Sequence, residues 1–252
     1  DWRRQAAFFA DTDTSKARIR PWQLCYWSEG QPVAEVLADT GSAFLPRDPE
    51  RWGISEHARP VFSDDGSKLY YGIAPPLPLP DTTLLPEEIV QVEVWSWTQN
   101  RVYTELAKRL DADKKRYTPA LVLLNSVVLP NSVRQEQEVP NGVRQHIVAP
   151  QDLPEWRFQR ERNAHLALGI TEEPYAYLKQ WEGNAPRDVY AVDLTTGEKR
   201  QIVEALRCIP NLSPTANVAF WWSYPDTAWF AWDARNNKTA RLTDSRTVAF
   251  YN

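Results

Sequence analysis

Several features that mark common classes of protein are missing from this 252-residue sequence. Basic residues do not predominate: 29 Lys and Arg stand against 33 Asp and Glu, the formal net charge is −4, and nucleic acid is not the expected main partner. No apolar run approaches the roughly 18 residues that a membrane-spanning helix needs. Hydrophobic residues at 42% and charged residues at 25% are ordinary for a globular protein, which excludes disorder and collagen-like structure.

Motifs of catalysis and cofactor binding are missing as well. The nine glycines form neither a P-loop nor a Rossmann fingerprint, and there is no Gly-x-Ser-x-Gly elbow and no His-Glu-x-x-His motif. The two cysteines, Cys25 and Cys208, lie among apolar neighbours, which favours buried free thiols, with a long-range disulfide as the alternative. Two cysteines and three scattered histidines offer too few ligands for a metal site. We therefore predict no catalytic residue, no cofactor-binding residue, no cofactor and no metal site in these residues.

The three histidines share no spacing along the chain. His165 lies in an apolar segment that reads as a strand, which favours a hydrogen-bonded structural role. His57 and His146 are predicted at loops or strand edges. A Ser-His-Asp triad built from these histidines is disfavoured, because nothing in the sequence supplies an oxyanion loop.

Proline and aromatic residues, by contrast, are abundant. The chain has 20 Pro, 12 Trp, ten Tyr and eight Phe, a composition that favours strands and turns over long helices. The Pro-rich residues 74–86 are predicted as an irregular loop. Residues 106–115 form the only predicted helix, with a charged hairpin tip as the alternative.

Alternating apolar residues separated by turn signals predict two kinds of hairpin. The first kind has a Ser before its turn and a second strand ending in aromatic residues, as in residues 61–71 and 211–220. The second kind has a short polar turn after an aromatic strand, as in residues 189–202 and 229–243. One hairpin of each kind makes about four strands in roughly 40 to 55 residues, which is typical of a β-propeller blade.

We therefore predict an all-β fold, a partial β-propeller of four-stranded antiparallel blades with four to five blades present. Weaker copies of the hairpins lie at residues 8–32, 92–103 and 157–168. The approximate blades are residues 1–45, 55–125, 155–205 and 207–250. Residues 126–154 are predicted as an insertion or a degenerate blade.

Two groups of side chains could suggest ligand binding. Asp11, Asp13, Asp64 and Asp65 could suggest calcium, but their loops lack the alternating ladder and distal Glu of a calcium loop, so roles within turns are favoured. The mixed charge run at residues 108–116 is expected to be a solvated surface.

Aromatic side chains form the other group. Trp95 and Trp97 lie two residues apart and share one face of a predicted strand. The second set clusters near the end of the chain and contains Trp221, Trp222, Trp229 and Trp232. Such rings could stack on sugars or peptides, but filling the gap between blades is favoured.

The order of several segments resembles the propeller of bacterial prolyl-oligopeptidase-family serine peptidases of the dipeptidyl-peptidase-like kind. The matching segments are residues 9–13, 62–75, 92–97, 187–198, 212–214 and 229–252. The chain departs from the family pattern at residues 213–216, Ser-Pro-Thr-Ala, where Asp-Gly is usual. The turn there must be built differently.

The resemblance implies a propeller that covers an active site and restricts entry to short peptides. The Ser-Asp-His triad would belong to an α/β-hydrolase domain that these residues do not include, so the expected partners are that domain and, through the parent enzyme, a peptide substrate. A periplasmic or secreted location is implied by the family alone. The exposed edges of a partial propeller also favour a homodimer.

Two other functions stay open from the sequence. One is a non-catalytic scaffold that binds proteins or glycans, with Trp95 and Trp97 lining a groove. The other is an independent propeller lyase or glycosidase, which needs carboxylates or histidines converging on the channel.

Overall fold

The structure of the chain, a computed structural model, describes residues 4–15, 18–47, 51–79, 83, 98–124 and 145–243. Within these residues the strands pair antiparallel and form four sheets in chain order. The first sheet contains β1 (Gln5–Ala10), β2 (Gln23–Ser28) and β3 (Glu35–Ala38), and the second contains β4 (Gly53–Ile54), β5 (Val61–Phe62), β6 (Lys68–Ala74), β7 (Thr118–Leu123) and β8 (His146–Val148). The third contains β9 (Glu155–Arg157), β10 (Leu166–Thr171), β11 (Arg187–Asp193) and β12 (Lys199–Leu206), and the fourth contains β13 (Asn211–Leu212), β14 (Val218–Ser223), β15 (Ala228–Asp233) and β16 (Lys238–Arg241).

Consecutive sheets pack face to face. Leu69 and Tyr70 are neighbours on β6 and therefore point to opposite faces of the second sheet. Leu69 belongs to the apolar cluster shared with the first sheet, and Tyr70 belongs to the one shared with the third. A further cluster, with Leu168 and Trp221, joins the third sheet to the fourth. Sheets that bury both faces against their neighbours in chain order are the blades of a β-propeller, so the predicted fold class is confirmed.

The predicted hairpins form at the turns that the sequence indicates. In the first kind, Val61 pairs with Tyr70 and Asn211 pairs with Phe220. In the second kind, β11 pairs with β12 and β15 pairs with β16. The third and fourth sheets have the four strands predicted for a blade. The first shows three strands in the residues described, and β4 and β5 in the second both pair with β6, because residues 55–60 interrupt what would be one strand.

The sheets run over residues 5–38, 53–148, 155–206 and 211–241. Strand β8 lies inside the predicted insertion at residues 126–154, and it forms the edge of the second sheet by pairing with β7. Residues 125–144 lie outside the described residues.

Ala216 explains how the unusual turn at residues 213–216 is built. Gly66 occupies the corresponding position in the second sheet with a φ of 68°, and Ala216 adopts a φ of 55° there. The amide of Ala216 donates to the carbonyl oxygen of Ser213 at 2.8 Å, as the amide of Gly66 does to Ser63 at 2.9 Å. The expectation that this turn is built differently was therefore wrong: the turn keeps its hydrogen bond, and a non-glycine residue occupies the left-handed position.

Helical structure is confined to connections between strands in the described part of the chain. Helix α1 (Tyr103–Lys114) confirms the predicted helix and begins three residues before it. A 3₁₀ helix (Glu173–Leu178) and helix α2 (Lys179–Glu182) follow β10 and were not predicted. Among the residues described, no helix is both long and apolar enough to cross a bilayer.

Candidate functional site

Two described segments lead into the third strand of a blade. Residues 98–117 lead into β7, and residues 172–186 connect β10 to β11. Because neighbouring strands are antiparallel, these connections leave their sheets at the end opposite the β5–β6 and β9–β10 turns. We call the surface formed by residues 98–117 and 172–186 the insert face. Loops on a rigid scaffold are where function concentrates, so this face is the candidate functional site.

Six charged side chains join the two connections of the insert face. This charge cluster consists of Arg101, Glu105 and Arg109 from the second blade and Glu172, Glu173 and Lys179 from the third. One guanidinium nitrogen of Arg101 lies 2.7 Å from Glu105, and the other lies 3.2 Å from Glu172 and 3.0 Å from Glu173. Arg109 and Lys179 reach the same oxygen of Glu172 at 3.3 and 3.1 Å.

Burial differs sharply within the charge cluster. The Arg101 side chain is only 8% exposed, whereas that of Glu173 is 49% exposed. Burial alone would lower the pKa of Arg101, but the carboxylates of Glu173, Glu105 and Glu172 raise it, so the guanidinium stays charged. Burial likewise raises the pKa of Glu172, yet hydrogen bonds from Lys179 and Arg101 outweigh it and lower the pKa. The Glu172 carboxylate is therefore held ionised at neutral pH, and the cluster joins two blades rather than transferring protons.

At the opposite end of the sheets, side chains of the second blade donate hydrogen bonds to backbone carbonyl oxygens of the third blade. Lys68 is buried, and its ammonium donates to the carbonyl oxygens of Asn163 and Ala164, the latter at 2.7 Å. The hydroxyl of Tyr70 donates to the carbonyl oxygen of Arg162 at 2.9 Å. Burial lowers the pKa of Lys68, and Asp65 opposes that shift. The second and third blades are thus fixed to each other at both ends.

A cleft of about 520 Å³ lies between the third and fourth sheets. It is lined by residues 157–161 and 209–214, which include the edge strand β13 and the end of the edge strand β9. Gln159 crosses it, since its side-chain amide accepts from the amide of Ala164 and donates to the carbonyl oxygen of Pro214. The cleft is open and mixed in polarity, and no titratable pair converges in it among the described contacts.

The histidines lie on different elements. His165 lies one residue before β10 rather than in the strand, its side chain is exposed, and its carbonyl oxygen accepts from the amide of Leu194 at 2.6 Å. His57 lies exposed in a turn, as predicted. His146 lies on the edge strand β8, also as predicted, where its Nδ1 is 3.0 Å from the Tyr71 hydroxyl and its ring stacks on Phe44.

The aspartates predicted for turns have that role. Asp11 accepts from the amide of Asp13 at 2.9 Å, and Asp13 accepts from the amide of Ser15 at 2.8 Å. Asp65 accepts from the hydroxyl of Ser63 and the amide of Ser67. In the part of the chain that the structure describes, no group of three His, Cys, Asp or Glu side chains is arranged to hold a metal ion.

Two tryptophans of the fourth sheet fill the space between blades, as favoured from the sequence. Trp221 and Trp232 are buried between the third and fourth sheets. Trp222 and Trp229 pair on the other face of the fourth sheet, with ring centroids 5.7 Å apart. The predicted groove residues Trp95 and Trp97 lie outside the described residues.

Both cysteines are free, as predicted. Cys25 is buried, and burial raises its pKa. Cys208 is only partly buried, and its thiol donates to the carbonyl oxygen of Trp222 at 3.2 Å.

The charge cluster was missed from the sequence. Arg101, Glu105 and Arg109 are spaced four residues apart, which on a helix signals a row of ion pairs. Nothing local signals that Glu172 and Glu173 meet this row, because the contacts span 63 residues or more.

Comparisons with known proteins give likenesses of fold only. No family model matches the chain, and no curated protein matches it significantly. Solved structures similar to it include TolB from Acinetobacter baumannii, at 14% identity and a TM-score of 0.33, with 97% of this chain and 42% of TolB covered. The tricorn protease is 11% identical with a TM-score of 0.36, with 95% of this chain and 21% of the protease covered.

A third similar structure is an oligogalacturonate lyase from Vibrio parahaemolyticus, at 11% identity and a TM-score of 0.24, with 90% of this chain and 62% of the lyase covered. The chain spans less than two thirds of the length of each of these three proteins. Likenesses this distant carry no argument about function, and the fold assignment rests on the stacked sheets of the chain itself.

Proposed function

We propose that these residues are part of the propeller of a prolyl-oligopeptidase-family serine peptidase, and that the propeller limits entry to its active site. The observation that carries the proposal is that the family-like segments fall on the hairpins of the blades, and two of them fall on the same turn in different blades. Residues 62–75 cover the β5–β6 hairpin, and residues 187–198 cover β11 and its following turn. Residues 212–214 begin the turn that corresponds to the β5–β6 turn two blades earlier.

Rigidity supports this role. A propeller excludes folded proteins by size only if its blades do not separate when a large molecule presses against them. Lys68 and Tyr70 bond the second blade to the third through backbone carbonyl oxygens, and Gln159 bonds the third to the fourth. A ring built with such links admits short or flexible peptides and keeps bulk water and large substrates from the site that it covers.

Catalysis in this proposal belongs to an α/β-hydrolase domain elsewhere in the parent protein, and the propeller itself is non-catalytic. The partners are that domain and a peptide substrate, with a homodimer formed through exposed strand edges as a further expectation. A periplasmic or secreted location is part of the same proposal.

The test begins with the gene that encodes these residues. We expect a Gly-x-Ser-x-Gly motif to be encoded within a few hundred residues after position 252. The whole protein should then react with a fluorophosphonate probe and cleave short chromogenic peptides, but not a folded protein that contains the same bonds. Replacing the motif serine with alanine is the control, and it should abolish labelling and cleavage.

The proposal fails if no such motif follows, or if residues 1–252 alone cleave peptides. In the first case a non-catalytic scaffold for proteins or glycans becomes the better reading. A glycan array or pull-down with the whole protein would then identify its partner.

A further inference from the structure

Helix α1 is held on the protein in an unusual way. None of its 12 residues is buried. A helix of this length is marginal on its own in water and normally depends on an apolar face packed against the core. In α1, by contrast, the apolar side chain of Leu110 points outward and is exposed. Something other than apolar burial must therefore keep α1 in place.

The contacts that hold α1 come from one end of it. Arg101, Glu105 and Arg109 lie before or within its first two turns and make the ion pairs of the charge cluster. In the described part of the chain, no ion pair joins the charged residues of its last turn to another blade. Among the contacts of the described residues, the links from α1 to the third blade thus lie at the amino-terminal end of the helix and are electrostatic.

We propose that residues 101–114 form a strap whose docking on the third blade is controlled by the charge cluster, so that salt releases it while the sheets stay folded. Ions screen partly exposed charges, and two members of the cluster, Glu173 and Lys179, are open to solvent. Arg101 is the buried member that touches both blades, so its loss removes the link to Glu172 and Glu173 together.

The opposite end of the same two blades provides an internal contrast. Lys68 and Tyr70 bond to neutral carbonyl oxygens of residues 162–164 and are well buried. Such hydrogen bonds weaken far less with ionic strength than ion pairs near solvent do. The insert face should therefore open at salt concentrations that leave the other end of the interface intact. This inference does not depend on the proposed peptidase function, because strap release can be measured without any substrate.

The experiment is hydrogen–deuterium exchange of the whole protein at about 0.02 M and about 1 M NaCl, a range over which the screening length falls severalfold. We expect amides of residues 105–114 to exchange about tenfold faster at the higher salt concentration, as partial loss of docking predicts. Amides of β10 and β11 should stay within about twofold of their low-salt rates. Arg101→Met should give fast exchange in α1 at both salt concentrations.

Two further variants keep the test decisive. Glu173→Gln removes a half-exposed partner and should give a smaller increase in α1 exchange, which covers the case in which Arg101→Met fails to fold. Lys199→Met, which removes an ion pair with Asp152 away from the insert face, is the matched control and should leave α1 unchanged. The proposal is overturned if α1 exchange does not respond to salt, or if β10 and β11 lose protection together with α1.

Discussion

The ammonium of Lys68 in the second blade donates to the carbonyl oxygen of Ala164 in the third, at 2.7 Å. Lys68 is 8% exposed, so this bond lies almost entirely out of water. Lysine is seldom buried without a partner because its charge must be compensated. Here the backbone of the neighbouring blade provides the compensation, and a residue on β6 thereby fixes the position of the turn before β10.

Replacing Lys68 should weaken the joint between these blades. In Lys68→Met the carbonyl oxygens of Asn163 and Ala164 lose their donor while the apolar stem is retained. We expect a loss of about 2–3 kcal/mol in the free energy of unfolding, as for unsatisfied buried acceptors. Urea denaturation measures it. The control is Lys238→Met on the exposed strand β16, which should change stability by less than about 0.5 kcal/mol.

Alkaline pH should destabilise the second blade through its buried tyrosines. Burial raises the pKa of Tyr70 and Tyr71 above the ordinary value of 10.0. The unfolded chain therefore loses these protons near pH 10 while the folded chain keeps them, and the stabilisation present below pH 10 is lost as the pH rises further. Each such tyrosine contributes a slope of about 1.4 kcal/mol per pH unit.

Chemical denaturation between pH 8 and pH 11 checks this expectation. Tyr70→Phe should lower stability at pH 8, because the bond to Arg162 is lost, and should flatten the alkaline decline. Tyr224→Phe changes an exposed tyrosine and should leave the decline unaltered. An unchanged slope in Tyr70→Phe would show that Tyr70 ionises equally well in both states.

Acid should loosen the insert face first. The cluster lowers the pKa of Glu172 below its ordinary value of 4.5. The stabilisation that ionised Glu172 contributes is complete above pH 4.5, and it is lost as the pH falls through the lower pKa of Glu172 in the folded protein. We expect amides of α1 to lose protection below pH 4.5 ahead of those in β10, after correction for intrinsic exchange rates. Glu172→Gln should remove much of this pH dependence, whereas the exposed Glu198→Gln should not.

Thr227 is a site where a substitution should stabilise the protein. It is an exposed, β-branched residue in the turn between β14 and β15, and its φ is 46°. A left-handed conformation is unfavourable for such a side chain, so Thr227→Gly should gain about 0.5–1 kcal/mol after the larger entropy of glycine in the unfolded state is included. Thermal melting tests this. Thr239→Gly, in strand β16, should instead lose stability, because glycine weakens a strand interior.

The sequence was a good guide to hairpins because their turns are local. Asp65-Gly66 and Thr196-Gly197 supply residues that accept a positive φ within a few positions of the strands they join. The same local rule could not anticipate that Ala216 takes the place of Gly66, because alanine does not favour a positive φ. Likewise, nothing near His165 shows that it falls just outside its strand, which is a difference of one residue.

The candidate site was harder to predict, because it depends on which loops meet. Arg101 pairs with Glu172 only after two blades stack and bring their second-to-third connections to the same end. The i, i+4 spacing of Arg101 and Glu105 is visible in the sequence, but their partners across the interface are not.

The apolar clusters of the described residues join the first sheet to the second, the second to the third and the third to the fourth. The folding free energy of such a stack is approximately a sum, in which each blade has its own term and one interface term with each adjacent blade. Damage at one joint, such as that between Lys68 and Ala164, should therefore divide the array into two cooperative parts that melt separately. The cooperativity of unfolding would then depend more on the interfaces between blades than on the blades themselves.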